Sequence, residues 1–180
     1  MISLSHRIAT PVDAPAIAAL MERAIESLQQ AFLTPAEIAA SRLSMGLDTQ
    51  LIDDGTYFLV ESGGALAGCG GWSRRATLYG GNHSAALRDD RLLDPATEPA
   101  RIRAMYTDPA FVRRGVGRLI LTLAEAAAQD AGFARAEMMA TLAGEPLYAA
   151  CGYAPIERVT RMSAQGAPVP GVRMGKILTR

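Results

Sequence analysis

The chain has 180 residues, of which 49% are hydrophobic, and its formal net charge at pH 7 is zero. This length suffices for one domain with a buried core, and the neutral balance argues against a broad nucleic-acid-binding face. No apolar run is long enough to span a membrane, the first residues lack the apolar core of a signal peptide, and two cysteines indicate neither a disulfide framework nor a zinc site. We therefore expect a cytoplasmic protein with no bound metal, no nucleic-acid partner and no membrane partner.

The first hundred residues predict two helices and three strands. Hydrophobic periodicity and turn signals predict, in chain order, a strand at 7–9, a helix carrying an apolar stripe over 17–28, a second helix starting at the capping box 34–37, and a hairpin of strands 56–60 and 65–73. The glycines of the returning strand, Gly68, Gly70 and Gly71, predict a bulge or a close backbone approach. Residues 74–99 are interpreted as an irregular insertion between the third and fourth strands, of a kind that often forms a functional lid.

The second half of the chain alternates strands and helices. The patterns predict a strand at 102–107, a helix from Val116 that ends near Gly132, a strand at 134–141, a short helix at 144–151, a strand from Tyr153 and a last strand at 169–178. This order predicts a single mixed α/β domain over residues 1–180.

Residues 111–118, Phe-Val-Arg-Arg-Gly-Val-Gly-Arg, form the most informative segment, because they lie where a strand turns into a helix. A helix start leaves backbone N–H groups unpaired and carries a partial positive charge. The two glycines allow close approach to that backbone, the three arginines add full charge, and the first turn holds no Asp or Glu. The segment therefore predicts a site for an anion, most plausibly phosphate.

Two well-known nucleotide-binding loops do not match this segment. A phosphate-binding P-loop requires Gly-Lys-Ser/Thr, which is absent from the chain, and a dinucleotide fingerprint requires a third glycine where Leu119 and Ile120 stand. A helix start with this composition is also compatible with a plain solvated turn.

Two motifs at a matching separation resemble those of the GCN5-related N-acetyltransferases (GNAT). The acetyl-CoA loop of that family reads Gln/Arg-x-x-Gly-x-Gly/Ala after a strand ending in x-x-Pro; here Asp108-Pro109 precedes Val112–Gly117, and Val112 replaces the usual Gln or Arg. The second signature, Tyr followed by three residues, Gly and Phe/Tyr, matches Tyr148–Tyr153. The resemblance covers residues 102–153. It implies one GNAT-like domain with a mostly antiparallel mixed sheet of about seven strands, flanked by about four helices.

The resemblance also implies acetyl-CoA as cosubstrate and assigns roles to residues. The pyrophosphate would lie on the backbone N–H groups of Arg113, Arg114, Gly115, Val116, Gly117 and Arg118, next to Val112. The pantetheine arm would lie along Met105, Tyr106 and Thr107, with the backbone groups of Met105 and Thr107 pairing with it as an added strand would. Tyr148 would be the general acid that protonates the departing thiolate.

The catalytic base is left open. Glu98, Glu137, His83 and a chain of water molecules are candidates, since the acceptor amine must lose a proton before attack. Glu137 is more simply explained as an outward-facing residue or as a partner of an arginine such as Arg135, and His83 as a surface-loop residue. Arg101 stands where some GNAT relatives carry an acid.

The resemblance implies that the acceptor is an amine of a small molecule or a peptide, and the sequence does not specify its identity. Trp72, Arg74, Arg75 and Tyr79 could line its pocket, although ordinary core and rim positions explain them as well. The last strand could contribute to this pocket or to a dimer interface. Similar proteins usually form homodimers. The alternatives to an acetyltransferase are a non-catalytic acyl-CoA-binding module and a nucleotide-binding regulatory domain.

Overall fold

The computed structural model describes residues 3–163 and 165–179, which form a seven-stranded sheet with helices on both faces. The strands are β1 (Leu4–Ile8), β2 (Tyr57–Ser62), β3 (Ala65–Ser73), β4 (Ala100–Thr107), β5 (Arg135–Ala140), β6 (Ala154–Met162) and β7 (Pro168–Ile177). The helices are α1 (Ala14–Leu28), α2 (Pro35–Ser41), α3 (Thr49–Asp53), α4 (Val116–Asp130) and α5 (Glu145–Ala150).

The strand order is β1-β2-β3-β4-β5-β7-β6, and only the central pair β4–β5 is parallel. That pair is also short: only Ala100–Ala136 and Arg101–Glu137 are in register. Beyond these residues the two strands diverge, so the sheet opens in its middle along the second half of β4. The predicted mixed, mostly antiparallel sheet of seven strands is confirmed.

Each face of the sheet carries its own core, because successive side chains of a strand point to opposite faces. On β2, Leu59 packs with α1, α2 and α3, whereas Val60 packs with Val116 and Ile120 of α4. Four members of the predicted apolar stripe of α1, Ile17, Leu20, Met21 and Ala24, are buried, as is Ile25, whereas the fifth member, Leu28, is half-buried.

The glycines of β3 bring α4 close to the sheet. A Cβ on Gly68 would lie 2.4 Å from the Cγ1 of Val116, and one on Gly70 would lie 2.8 Å from the Cγ2 of Ile120. The register between β2 and β3 also shifts: Val60 pairs with Gly68 and Glu61 with Leu66, so Ala67 is an extra residue on β3. Both the predicted bulge and the predicted close approach are therefore present in this strand.

Two features differ from the predictions. The first strand starts at Leu4 rather than residue 7, and α3 was missed, so the described residues contain five α-helices instead of about four. The start of α3 had a readable signal, since Asp48 accepts a hydrogen bond from the N–H of Gln50 as a helix cap does. The apolar pair Leu51 and Ile52 that follows it is too short to show helical periodicity.

The segment at 74–99 is irregular, as predicted, but it is tied to the domain. It contains a short 3-10 turn at Ala85–Leu87 and an isolated bridge between Arg75 and Leu92. Backbone hydrogen bonds join Asn82 to Leu47 and Leu93 to Arg74. The segment thus packs beside the α2–α3 connection. No helix in the described part of the chain is long and apolar enough to cross a bilayer.

Candidate active site

A kink in β4 creates the open edge at the centre of the sheet. Ala104 has φ +50°, which is unusual for a residue with a Cβ, and its carbonyl accepts a 2.6 Å hydrogen bond from the hydroxyl of Tyr57. Tyr57 is 1% exposed, so this bond lies in the core and holds the kink in place. The strand therefore leaves β5 at a fixed position.

The backbone of Met105 and Thr107 faces that open edge. Asp108 donates its N–H to the carbonyl of Ala67 on β3, over 2.9 Å, and hydrogen-bonding direction alternates along an antiparallel strand. Tyr106 therefore shares the direction of Asp108 towards β3, whereas Met105 and Thr107 point away from it. Of the three residues predicted to lie along pantetheine, Tyr106 does not offer backbone groups to the edge; its ring is buried and its hydroxyl accepts a hydrogen bond from Gly46.

The loop that follows β4 leaves six consecutive N–H groups without a partner. Arg113 (φ +63°) and Gly115 (φ +84°) both adopt left-handed backbone conformations, and Gly115 caps α4. In the described part of the chain, no acceptor forms a hydrogen bond with the backbone N–H groups of residues 113–118. The first hydrogen bond of the helix runs from the N–H of Leu119 to the carbonyl of Gly115. Unpaired N–H groups at a helix start form a ready site for an anion.

The charges around this loop are uncompensated. No acid lies in the first turn of α4, and no carboxylate of the described residues forms an ion pair with Arg113, Arg114 or Arg118. The guanidinium of Arg114 lies 5.4 Å from the ring centre of Phe111 instead. The loop therefore presents a positive surface to any ligand that reaches its backbone.

A cavity of about 1050 Å³ runs from this loop through the opening between β4 and β5. Ten of the eleven predicted site residues line it: Met105, Tyr106, Thr107, Val112, Arg113, Gly115, Val116, Gly117, Arg118 and Tyr148. Arg114 lies outside the lining. Residues distant in sequence are thus brought to one concave site, which is the usual form of a site for a small ligand.

Tyr148 lies on α5 with its ring packed in the core. It is 8% exposed, and its ring meets that of Tyr153 edge to face with the centres 6.2 Å apart. Gly144 makes room for it, since a Cβ there would lie 2.8 Å from the Tyr148 ring. Burial raises the pKa of Tyr148 to about 12, so its hydroxyl stays protonated at neutral pH.

The candidate bases lie outside the cavity. Glu98 is held by Arg91 at 2.8 Å, which lowers its pKa to about 2, and the exposed ring of His83 bonds the carbonyl of Arg42. Glu137 forms a 2.9 Å ion pair with Arg101, not with Arg135. No Asp, Glu or His of the described residues lines the cavity. The same part of the chain holds no cluster of three metal-binding side chains.

Of the four residues suggested for an acceptor pocket, only Tyr79 lines the cavity. Trp72 packs in the core against Phe133, and Arg74 stacks over Trp72. Arg75 forms an ion pair with Asp54 at 2.7 Å. Ordinary core and rim positions therefore account for these three residues.

Sequence reasoning missed a buried ion pair beside the cavity. Arg103 of β4 is 4% exposed and binds Asp48, itself 2% exposed, at 2.8 Å. The same guanidinium donates to the carbonyls of Thr77 and Gly80, so it joins β4, the α2–α3 connection and the insertion. Arg103 is the only charged residue of the strand predicted at 102–107, and this was the signal available. No sequence pattern indicated Gln29 or Arg161, which also line the cavity.

Comparisons with known proteins identify the family to which this fold belongs. The model of the acetyltransferase (GNAT) family matches residues 19–153. The chain is similar in structure to a GCN5-related N-acetyltransferase from Rhodopseudomonas palustris, with TM-score 0.72, 20% identity, and coverage of 99% of this chain and 98% of that one. It is also similar to the PaiA N-acetyltransferase of Thermoplasma acidophilum in complex with coenzyme A, with TM-score 0.64, 10% identity and coverage of 97% and 99%.

A third similar structure is the ribosomal-protein-S18-alanine N-acetyltransferase of Escherichia coli, with TM-score 0.59, 15% identity and coverage of 99% and 96%. No curated protein sequence matches the chain. At these identities the structures show a shared fold, and the family model, which spans three quarters of the chain, shows the family. The chain belongs to the GNAT family of acetyltransferases.

Proposed function

We propose that this protein transfers the acetyl group of acetyl-CoA directly to a primary amine, in a complex that holds both substrates. The observation that carries this proposal is the run of six unpaired N–H groups at residues 113–118, placed at one cavity with the open edge of β4. A pyrophosphate fits the first feature, and the amide-bearing pantetheine arm fits the second. Coenzyme A contains both groups in one molecule.

We call the edge at 105–107, the loop 111–118 and α5 the donor wall. In the proposed complex, Met105 and Thr107 bond the pantetheine amides, and the loop backbone holds the pyrophosphate. Arg113 and Arg118 add charge at the cavity surface. Val112 needs no polar side chain, because the backbone does the binding. Arg114 acts through long-range attraction rather than contact, since it lies outside the lining.

In the transfer step, the acceptor nitrogen attacks the thioester carbonyl carbon and the carbon–sulfur bond breaks. Tyr148 donates its hydroxyl proton to the sulfur as it leaves, and takes one back from solvent after the coenzyme A thiol has gone. A pKa of about 12 supports this role, since an acid must arrive at the step protonated. The nitrogen must lose a proton, and we assign that proton to water because none of the described cavity residues is an Asp, Glu or His.

The test is a panel of amines incubated with acetyl-CoA, with thiol release measured by a chromogenic reagent and the acetylated product by mass. We expect release that depends on the amine. Acetyl-CoA binding without release for every amine would favour the non-catalytic binding module. A thermal shift with ATP or NAD but none with coenzyme A would favour the nucleotide-binding domain.

Localisation and assembly are proposals of the same kind. We infer a cytoplasmic protein that forms a homodimer. The edge strand β6 supports a second copy, because its side chains Ile156 and Met162 are 49% and 66% exposed. Light scattering during size-exclusion chromatography tests it, with a dimer mass expected and a monomer mass contradicting it.

A further inference from the structure

The cavity continues beyond the donor wall into a region of different composition. We call the lining residues of segments 24–46, 78–87 and 159–171 the acceptor wall. Much of its surface is apolar, with contributions from Leu28, Phe32, Leu43, Leu78, Leu87 and Val159. An acceptor of this region would therefore bury an uncharged, largely apolar group.

Every charged side chain among the described residues that line the cavity is positive. The described residues that line it include four arginines and neither Asp nor Glu. Arg113 and Arg118 belong to the donor wall, and Arg103 is neutralised by Asp48 at 2.8 Å. That leaves Arg161 of β6, for which no described carboxylate lies within ion-pair distance. An acceptor ammonium thus meets no anion here, whereas an acceptor anion meets a free guanidinium.

Arg161 is held in place by Tyr79. Its guanidinium carbon lies 4.0 Å from the centre of the Tyr79 ring, so β6 and the insertion meet across the cavity. Stacking fixes the plane of an arginine and leaves its N–H edge free for a carboxylate, which it binds with two parallel hydrogen bonds. Arg161 is an exposed residue of β6, and partial desolvation of its guanidinium lowers its pKa from the ordinary value.

The hydroxyl of Tyr79 is not part of this contact. Its oxygen is buried and has no hydrogen-bond partner among the described residues. An oxygen that is closed off in this way cannot bond a ligand in the cavity, so Tyr79 contributes the face of its ring, which orients Arg161. The free donors at this place are those of the Arg161 guanidinium.

We propose that the acceptor is an amino-acid-type amine with an uncharged, apolar side chain, whose carboxylate is bound by the Arg161 guanidinium that the Tyr79 ring orients. This inference rests on the proposed acetyl transfer and narrows its substrate class. The amine nitrogen then forms the new amide bond with the acetyl group, and coenzyme A leaves as the thiol. The products are an N-acetylated amino acid and coenzyme A.

The experiment compares three amines with the same apolar side chain, of which only leucine has a carboxylate: leucine, leucinamide and 3-methylbutylamine. Because their amine pKa values differ, kcat/KM is calculated on the concentration of unprotonated amine. With the wild-type protein, this kcat/KM should be at least about tenfold higher for leucine than for either analogue, the usual effect of a charge-assisted hydrogen bond. Arg161→Gln should lower kcat/KM for leucine and bring the leucine-to-leucinamide ratio close to one. Tyr79→Ala, which removes the ring that stacks on Arg161, should lower the same ratio by a smaller factor, whereas Tyr79→Phe, which keeps that ring, should not.

Arg158→Gln is the matched control, because it removes an arginine from the same strand. Arg158 does not line the cavity and pairs with Glu145 at 2.6 Å. This variant should keep the wild-type ratio. Equal rates for the three wild-type acceptors, or a ratio that Arg161→Gln leaves unchanged, would overturn the carboxylate site and leave the proposed acetyl transfer standing.

If no amine reacts, a measurement of leucine binding still tests the carboxylate site separately from the proposed acetyl transfer. Calorimetric titration of leucine into the protein saturated with coenzyme A should then show binding that leucinamide lacks and that Arg161→Gln abolishes. That result would support the carboxylate site and reject the transfer. Absence of leucine binding in the wild-type complex would overturn the carboxylate site as well.

Discussion

The donor wall and the acceptor wall of the one cavity are built on different principles. The donor wall presents mainly backbone groups, from the edge of β4 and from residues 113–118, which lie close together in the sequence. The acceptor wall presents side chains from three segments that are far apart in the chain. Backbone recognition tolerates a change such as Val112, whereas side-chain recognition changes with each substitution. The donor should therefore be the constant part of this chemistry and the acceptor the variable part.

The largest effect is expected where the donor wall depends on glycine. A Cβ on Gly117 would lie 2.7 Å from the Cδ2 of Leu147, so Gly117→Val should push the start of α4 away from α5. Losing two hydrogen bonds to phosphate at about 2 kcal/mol each weakens acetyl-CoA binding roughly a thousandfold. Isothermal titration calorimetry measures it.

The double variant Gly117→Val/Leu147→Ala is the control for that prediction, because it removes the atom that is struck. It should recover much of the affinity for acetyl-CoA. Unchanged binding in the single variant would contradict the dependence of the backbone cradle on this glycine.

The next largest effect is expected at a buried ion pair, whose loss should affect the acceptor wall and not the donor wall. Arg103→Met removes the 2.8 Å partner of Asp48, which then keeps only Arg88 at 3.0 Å. Because Asp48 retains one partner, we expect a loss of about 2 kcal/mol in the free energy of unfolding, below the range for a buried charge left alone. The KM for the acceptor should rise, because Arg103 also bonds the carbonyls of Thr77 and Gly80, while acetyl-CoA affinity stays constant. Urea unfolding and steady-state kinetics measure these effects.

Arg91→Met offers a comparison on the surface, since Arg91 and Glu98 form an exposed pair away from the cavity. It should change stability little. Equal losses in the two arginine variants would show that the buried network does not set the stability of the acceptor wall.

Removing the hydroxyl of Tyr148 should affect the chemical step alone. Tyr148→Phe keeps the ring that packs against Tyr153, so kcat should fall about a hundredfold, while the dissociation constant of acetyl-CoA remains that of the wild type. Pre-steady-state thiol release and calorimetry separate the two quantities. Full activity would remove Tyr148 as the acid, and lost binding would place it in the donor site instead.

The smallest effect concerns pH. Without a cavity base, kcat/KM should rise about tenfold per pH unit up to the pKa of the acceptor amine, which is near 8 for an α-amino group and about 10 for an alkyl amine. Since the pKa of Tyr148 is about 12, no falling limb is expected below about pH 11. If the rise in kcat/KM ends at the same pH for leucinamide and for 3-methylbutylamine, the group that titrates is a base in the protein and not the acceptor amine.

Much of the donor wall could be predicted from the sequence because the residues that form each of its features lie close together in the chain. The hairpin, the apolar stripe of α1, and the glycines and arginines of 111–118 each depend on neighbours within a few residues, and a pattern in the sequence displays them directly. The Tyr148 signature is local as well. By contrast, α3 was missed because its two apolar residues are too few to show a period.

The acceptor wall depends on contacts that no local pattern displays. Arg161 meets Tyr79 only because β6 and the insertion fold to the same cavity, and Glu137 pairs with Arg101 because β4 and β5 touch for two residues before they diverge. The kink at Ala104 likewise needs the hydroxyl of Tyr57, 47 residues earlier. The sequence by itself determined the elements other than α3, the family and the position of the loop at 111–118, since these rest on short-range periodicity and backbone conformation. Only the tertiary structure decided where the sheet opens and which charges remain free, because long-range packing and ion pairing set both.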